Sequence, residues 1–165
     1  MYMHVSSGVV RFENDTGADY LMFEAESYNG VSYFEHVGGK MEPVEDDDEE
    51  PVEAFLREFH EETGERPEEL IENIDGYEPF ESRVAGDAYI IYPHDVEVGQ
   101  RFEPAIGEEH TGSEWMSREQ ISRNSRHNRI SDGRMRTLEV VEGDRPESYS
   151  FRGDMLDVVV ENFDI

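Results

Sequence analysis

Residues Gly38 to Glu65 read "GGKMEPVEDDDEEPVEAFLREFHEETGE", and the fold turns on how this acidic stretch divides. From Asp46 to Glu50 it is purely acidic. With no apolar periodicity, that segment is expected to be loop. Pro51 then suits the first position of a helix, where a missing N–H costs little. Val52, Phe55, Leu56 and Phe59 follow at i, i+3, i+4 and i+7, an apolar stripe of helical period. Gly64 with Pro67 behind it supplies the stop signal. On such a helix Glu58, Glu61 and Glu62 share an arc of about 100° beside the stripe. Like charges at these spacings each cost a few tenths of a kcal/mol, which a bridging cation would relieve. Oxygen-only ligands point to a hard ion, Mg²⁺ or Mn²⁺. Arg57, next to Glu58, is placed to hold a carboxylate by a bidentate pair.

Outward from this helix the chain reads mainly as strands. "MHVSSGVVRFE" and "ADYLMFEAE" flank the turn "NDTG" and predict a hairpin. "VSYFEHV" predicts a short strand ending at Gly38-Gly39, and "PEELIEN" a short helix. "YEPFESRV" and "DAYIIYPHDVE" predict paired strands, and "SEWMS" a brief strand leading into a helix, "REQISR". "DGRMRTLEVVEG" fits a further helix, within a helical extension expected over about residues 130–165. The last element, "FRGDMLDVVVENF", is left unassigned. The length of 165 residues favours one domain.

Leu, Ile, Val and Phe make up 37 of 165 residues, about 22%, close to the level of about 20% below which charged chains stay unfolded. Eighteen aromatics tip the balance towards a folded globule. The net charge is −27, with thirteen arginines against one lysine, Lys40. Such a field repels phosphate backbones and anionic lipid heads, which argues against nucleic acid or membrane partners. It also destabilises a compact chain unless salt screens it; in molar salt the Debye length falls to about 3 Å. Very acidic, lysine-poor chains resemble proteins of salt-in halophiles, particularly haloarchaea, and a hypersaline cytoplasm is the expected setting. There is no cysteine, so disulfides and thiolate metal sites are excluded. No apolar run approaches the roughly 18 residues of a membrane span.

"REFHEETG", Arg57 to Gly64, together with the upstream "GGKMEPVE", resembles the Nudix box. That pattern is G, five residues, E, seven residues, then R-E-U-x-E-E-x-G-U, with U bulky and apolar. Composition alone would produce R-E-x-x-E-E-x-G roughly 0.005 times in such a chain. The resemblance covers about residues 3 to 125 and implies a Nudix-type α/β/α sandwich with a mixed β-sheet. The chain departs from the pattern in two places. Glu65 stands where the last apolar residue belongs. Counting from Gly39 selects Glu45 as the loop glutamate, with four extra acidic residues before Arg57, whereas keeping the spacing of seven selects Glu49. The reading that retains "GGK" and "EPVE" prefers Glu45.

The resemblance implies Mg²⁺-dependent hydrolysis of a nucleoside diphosphate linked to a group X, giving NMP and P–X, with Mn²⁺ as an alternative ion. Metal ligands would be Glu58, Glu61, Glu62 and the carbonyl of Gly38. Glu58 would also activate water and Arg57 would orient the glutamates. Glu109, six residues before Trp115 and flanked by Glu108 and Glu114, is the expected auxiliary ligand or base. Lys40 is a candidate phosphate contact, or simply a loop residue. The partner is a small nucleotide derivative, and a homodimer is compatible with this reading. "DYLMFEAES" and "EEHTGSEWMS" resemble parts of diadenosine-polyphosphate hydrolases, and the latter also the end of oxidised-dGTP hydrolases; ADP-ribose stays open. The alternative from another class is a catalytically weak Nudix-like nucleotide-binding or regulatory domain. No G-x-G-x-x-G, Walker loop, G-x-S-x-G, EF-hand or H-E-x-x-H pattern is present.

Overall fold

The computed structural model describes residues 2–26, 32–41, 43–44, 47–84, 87–119, 125–129, 136–140 and 149–152. The expected N-terminal hairpin is formed by β1 (Met3–Asn14) and β2 (Gly17–Glu26), antiparallel from Arg11↔Tyr20 to Asn14↔Gly17. The turn between them is closed by Asn14, whose side-chain oxygen accepts from the Thr16 backbone N–H at 2.9 Å. β3 (Ser32–Glu35) pairs with β2, and β4 (Val37–Lys40) pairs antiparallel with the first half of β1. The predicted single strand over 31–37 is therefore two, broken at His36, and the second runs on through Gly38-Gly39.

β9 (Asp87–Val98) lies parallel to β1 along Met3↔Tyr89 to Arg11↔Glu97, which makes the sheet mixed. β7 (Ile71–Gly76) and β8 (Phe80–Val84) pair antiparallel with opposite halves of β9, and β10 (Gly112–Ser117) pairs with β2. The expected pairing of 77–84 with 87–97 holds. Only Pro67–Leu70 of "PEELIEN" is helical (α2); from Ile71 the chain is β7, because β9 provides a partner for its backbone groups.

The expected helix is α1 (Pro51–Thr63), with Pro51 at its first turn and Gly64 as its cap. Gly64 adopts φ 74° and donates its N–H to the His60 carbonyl, a left-handed conformation that glycine tolerates best. Phe55 and Phe59 of the stripe are fully buried in a core with Val10, Leu21, Phe23, Val37, Leu70, Val96 and Val98; Leu56 packs at its margin. Val52 is 39% exposed, against expectation, because at the first turn it stands beyond the edge of the core, and Ala54 is buried there instead.

The expected helical extension over 130–165 is not what the described residues show. β11 (Ser125–Arg129), β12 (Arg136–Val140) and β13 (Tyr149–Arg152) are antiparallel neighbours, and β13 joins β3 in parallel. Adjacent strands satisfy the backbone of "RTLEV" and override its helical pattern. The helix expected from Arg118 is described only at Arg118 and Glu119, both helical, and most of "FRGDMLDVVVENF" lies outside the described residues. Eleven of the described strands form one sheet; β5 (Pro43–Val44) and β6 (Asp47–Asp48) form a separate small hairpin. Among the described residues no helix is long and apolar enough to cross a membrane.

Candidate active site

α1 presents its acidic face to a cavity of about 250 Å³, lined by Arg57, Glu58, Glu61, Glu62 and the segment Gly107–His110. Five of the expected site residues, Arg57, Glu58, Glu61, Glu62 and Glu109, thus meet at one place. Arg57 organises them. Its Nε and Nη2 donate to the two carboxylate oxygens of Glu49 at 3.0 and 3.1 Å. Nη1 donates to Glu58 at 2.9 Å and to Glu61 at 3.2 Å, and Nη2 also donates to the Lys40 carbonyl at 3.0 Å. These partners hold the guanidinium pKa well above its usual value, with Glu49 the leading cause.

Glu49, at the spacing of seven, is therefore the loop glutamate that reaches Arg57, which corrects the preference for Glu45. Glu45 lies outside the described residues. The four extra residues fall between Gly39 and Glu49, where the chain makes the β5–β6 hairpin; counting along the chain alone could not say on which side of the glutamate they sat.

β4 faces the helix with alternate backbone groups. Met41 N–H bonds to the His4 carbonyl at 2.9 Å, so with antiparallel alternation Gly38 and Lys40 turn their N–H and C=O away from β1. The Gly38 N–H accordingly meets Glu62 Oε2 at 3.3 Å, and the Gly38 carbonyl faces the same side. Gly39 allows the Glu58 carboxylate to approach the backbone closely. A Cβ there would stand 2.7 Å from Glu58 Oε2 and collide with the rest of that carboxylate.

Burial and mutual repulsion shape the carboxylates. Glu62 is pushed up to about 9, first by burial, then by the charges of Glu35 and Glu58, with the Gly38 N–H opposing and Glu109 adding. Burial also raises Glu58, with Arg57 opposing and Glu61 and Glu109 adding. Glu109 acts on both helix glutamates, whereas Glu114 sits in β10 opposite Met22. Lys40 is placed differently. It lines a neighbouring cavity of about 240 Å³ with Val5, Ser7, Glu35, His36, Gly38, Gly39 and Tyr89. Glu35 and His110 were not anticipated. His110 Nε2 lies 2.7 Å from Glu35 Oε1, and no local pattern joins residues 75 apart.

The donors offered to an ion are carboxylate and carbonyl oxygens, the set that hard divalent cations prefer. Two glutamates with raised pKa values, repelling one another on one wall, are what such a cation would stabilise in ionised form. Among the described residues no three acidic or histidine side chains converge into a ready-made cluster; Glu61, 55% exposed, is held by Arg57. The chemistry of the donors fits a divalent ion, and Arg57 supplies the positive charge at Glu58 and Glu61 in this arrangement.

The mixed sheet carries one helix whose positioned glutamates line an acidic cavity, an arrangement suited to a hydrolase of phosphoanhydride bonds. The chain belongs to the NUDIX domain family, whose model matches residues 3–137. Solved structures with the same fold include the Caenorhabditis elegans Ap4A hydrolase in a binary complex, with 15% identity, TM-score 0.56, and 71% of this chain and 81% of that one covered. A NUDIX hydrolase from Nitrosomonas europaea shares 19% identity at TM-score 0.57, covering 74% and 77%. The MutT protein of Methanosarcina mazei shares 22% at TM-score 0.55, covering 73% and 80%. The NUDIX domain of Shewanella oneidensis NrtR, complexed with ADP ribose, shares 16% at TM-score 0.57, covering 74% and 77%. No curated protein matches the chain by sequence.

Proposed function

We propose that the protein is a Mg²⁺-dependent pyrophosphohydrolase, with Mn²⁺ as a substitute, that cleaves a nucleoside diphosphate linked to X into NMP and P–X. The observation that carries this reading is the shared cavity of Glu58, Glu62 and Glu109, in which burial and repulsion raise both helix glutamates. Glu58, Glu61, Glu62 and the Gly38 carbonyl would hold the ion. A divalent cation there supplies charge that offsets both the polyphosphate and the protein's −27 and makes water easier to deprotonate.

The rest falls to the chain. Glu58, pressed against Gly39 and fixed by Arg57, accepts the proton of the attacking water. Arg57 keeps Glu58 and Glu61 aimed into the cavity, and Glu109 steadies the site from the opposite loop. Lys40, on the rim of the adjoining cavity, meets a phosphate of the bound nucleotide. The substrate is a small soluble nucleotide derivative, and the charge of −27 disfavours nucleic acid. The same charge and the single lysine support a hypersaline cytoplasm as the working environment.

The test is a panel of nucleoside triphosphates, dinucleoside polyphosphates, nucleotide sugars and ADP-ribose, assayed with Mg²⁺ or Mn²⁺ in molar KCl. Metal-dependent turnover is expected, reduced by about 10²-fold or more in Glu58→Gln and Glu61→Gln. Turnover unchanged in those variants would overturn the site. No turnover from the folded, metal-loaded protein would favour a nucleotide-binding or regulatory domain instead.

A further inference from the structure

The loop after β9 returns across the end of α1 and brings Glu108 and Glu109 to the cavity. Several ties fix its path. The Ala105 N–H bonds to the Thr63 carbonyl at 2.9 Å, at the end of α1, and the Trp115 indole N–H bonds to the Phe102 carbonyl at 2.9 Å. The Thr111 N–H bonds to the Glu24 carbonyl on β2 at 2.8 Å. Between Ala105 and Thr111 the chain passes through Gly107, Glu108, Glu109 and His110. Of these, only His110 is buried, its side chain 2% exposed.

His110 packs against Phe23 with its ring tilted by 31° and the ring centres 4.7 Å apart, and its Nε2 meets Glu35 Oε1 on β3 at 2.7 Å. Phe23 is fully buried in the core, so the imidazole is seated on a rigid floor. The bond to Glu35 leads to the carboxylate whose charge acts most strongly on Glu62 among the neighbouring acids. The residue immediately before it is Glu109, on the cavity wall.

We propose that His110 is a positioning residue for the active site: by bridging Glu35 on β3 to the loop, it holds Glu109 over the cavity beside Glu58 and Glu62. The proposal rests on the hydrolase reading for its effect on turnover and on the tether alone for its effect on the loop. Without the bridge, the segment of Glu109 keeps its backbone bonds at Ala105 and Thr111 and the ring contact with Phe23 but loses its polar link to β3. A misplacement of about 1 Å in such a group costs about 10²-fold in rate.

His110→Phe keeps the ring against Phe23 and removes the bridge, whereas His110→Gln restores a donor near the Nε2 position. The first measurement is amide hydrogen exchange, which does not depend on turnover. His110→Phe should speed exchange at residues 107–111 by about tenfold or more, with β1 and β9 unchanged, and His110→Gln should return it towards wild type. Unchanged exchange in a folded His110→Phe protein overturns the proposal, whether or not a substrate has been found.

The second measurement is a double-mutant cycle on the best substrate of the panel. His110→Phe should lower kcat about 10- to 100-fold with KM within about threefold, His110→Gln should recover most of it, and His110→Phe should cost nothing more in the Glu109→Gln background. Additive losses in the cycle overturn the positioning role, since a purely structural residue would slow both backgrounds alike. A wild-type protein without turnover but with the exchange result intact defeats the hydrolase reading and leaves the tether supported.

Discussion

Arg57 grips Glu49 with two parallel hydrogen bonds, Nε to Oε2 at 3.0 Å and Nη2 to Oε1 at 3.1 Å. Both side chains are mostly shielded, at 23% and 11% exposure, so this pair keeps more strength than a surface ion pair. It fastens the segment before α1 to the acidic face of the helix, and the same guanidinium reaches the Lys40 carbonyl. Arg57→Lys cannot reproduce the fork. Expected outcomes are a loss of about 1–3 kcal/mol in urea unfolding and at least about a tenfold fall in turnover. Glu49→Gln should share the defect, and Glu45→Gln should match wild type in both assays.

The Glu62 carboxyl, pushed by burial from its ordinary 4.5 up to about 9, gives the protein a specific pH dependence. The folded state holds this proton more tightly than the unfolded chain. Its contribution is therefore complete below about 4.5 and is lost as pH rises towards about 9, with a slope of at most about 1.4 kcal/mol per pH unit. In chelator, urea unfolding at pH 5, 7 and 9 should show wild type weakening relative to Glu62→Gln across this window. Parallel curves for the two proteins would refute the shift. Mn²⁺ added at pH 8 should release a proton from wild type and not from Glu62→Gln.

Gly39→Ala places a methyl group against the Glu58 carboxylate. The variant should lose about 1–3 kcal/mol through overpacking and turn over at least about tenfold more slowly, since the group that accepts the water's proton is displaced. Gly112→Ala, whose nearest neighbour would be the Glu24 carboxylate at 4.0 Å, is the matched control and should leave turnover unchanged.

The charge of −27 makes salt the fourth test. Thermal melts in about 0.1 M and about 2 M KCl should differ by at least about 10 °C, with the higher value in concentrated salt, equivalent to about 3 kcal/mol for a chain of this size. Equal melting temperatures would remove the case for a hypersaline setting.

Much of this arrangement is legible along the chain because it depends on short-range periodicity. Phe55 and Phe59 lie four residues apart and face one core, and Glu58 and Glu62, also four apart, face one cavity. Gly64 ends the helix for a local reason, its positive φ. The failures share a different cause. Arg136–Val140 carries a helix-compatible pattern and becomes a strand because β11 and β13 flank it. Ile71 leaves its predicted helix because β9 provides a ladder.

What the sequence determined by itself is the family, the helix and the three glutamates it presents, since residues three and four apart on a helix meet regardless of what surrounds them. Only the tertiary structure decided that Glu49 is the partner of Arg57, that Gly39 makes room for Glu58, and that Glu35 and His110 join the site from strands and loops far away in the chain. Those contacts depend on how the sheet brings distant segments together and on how many residues each loop carries, and neither quantity is written in a local spacing.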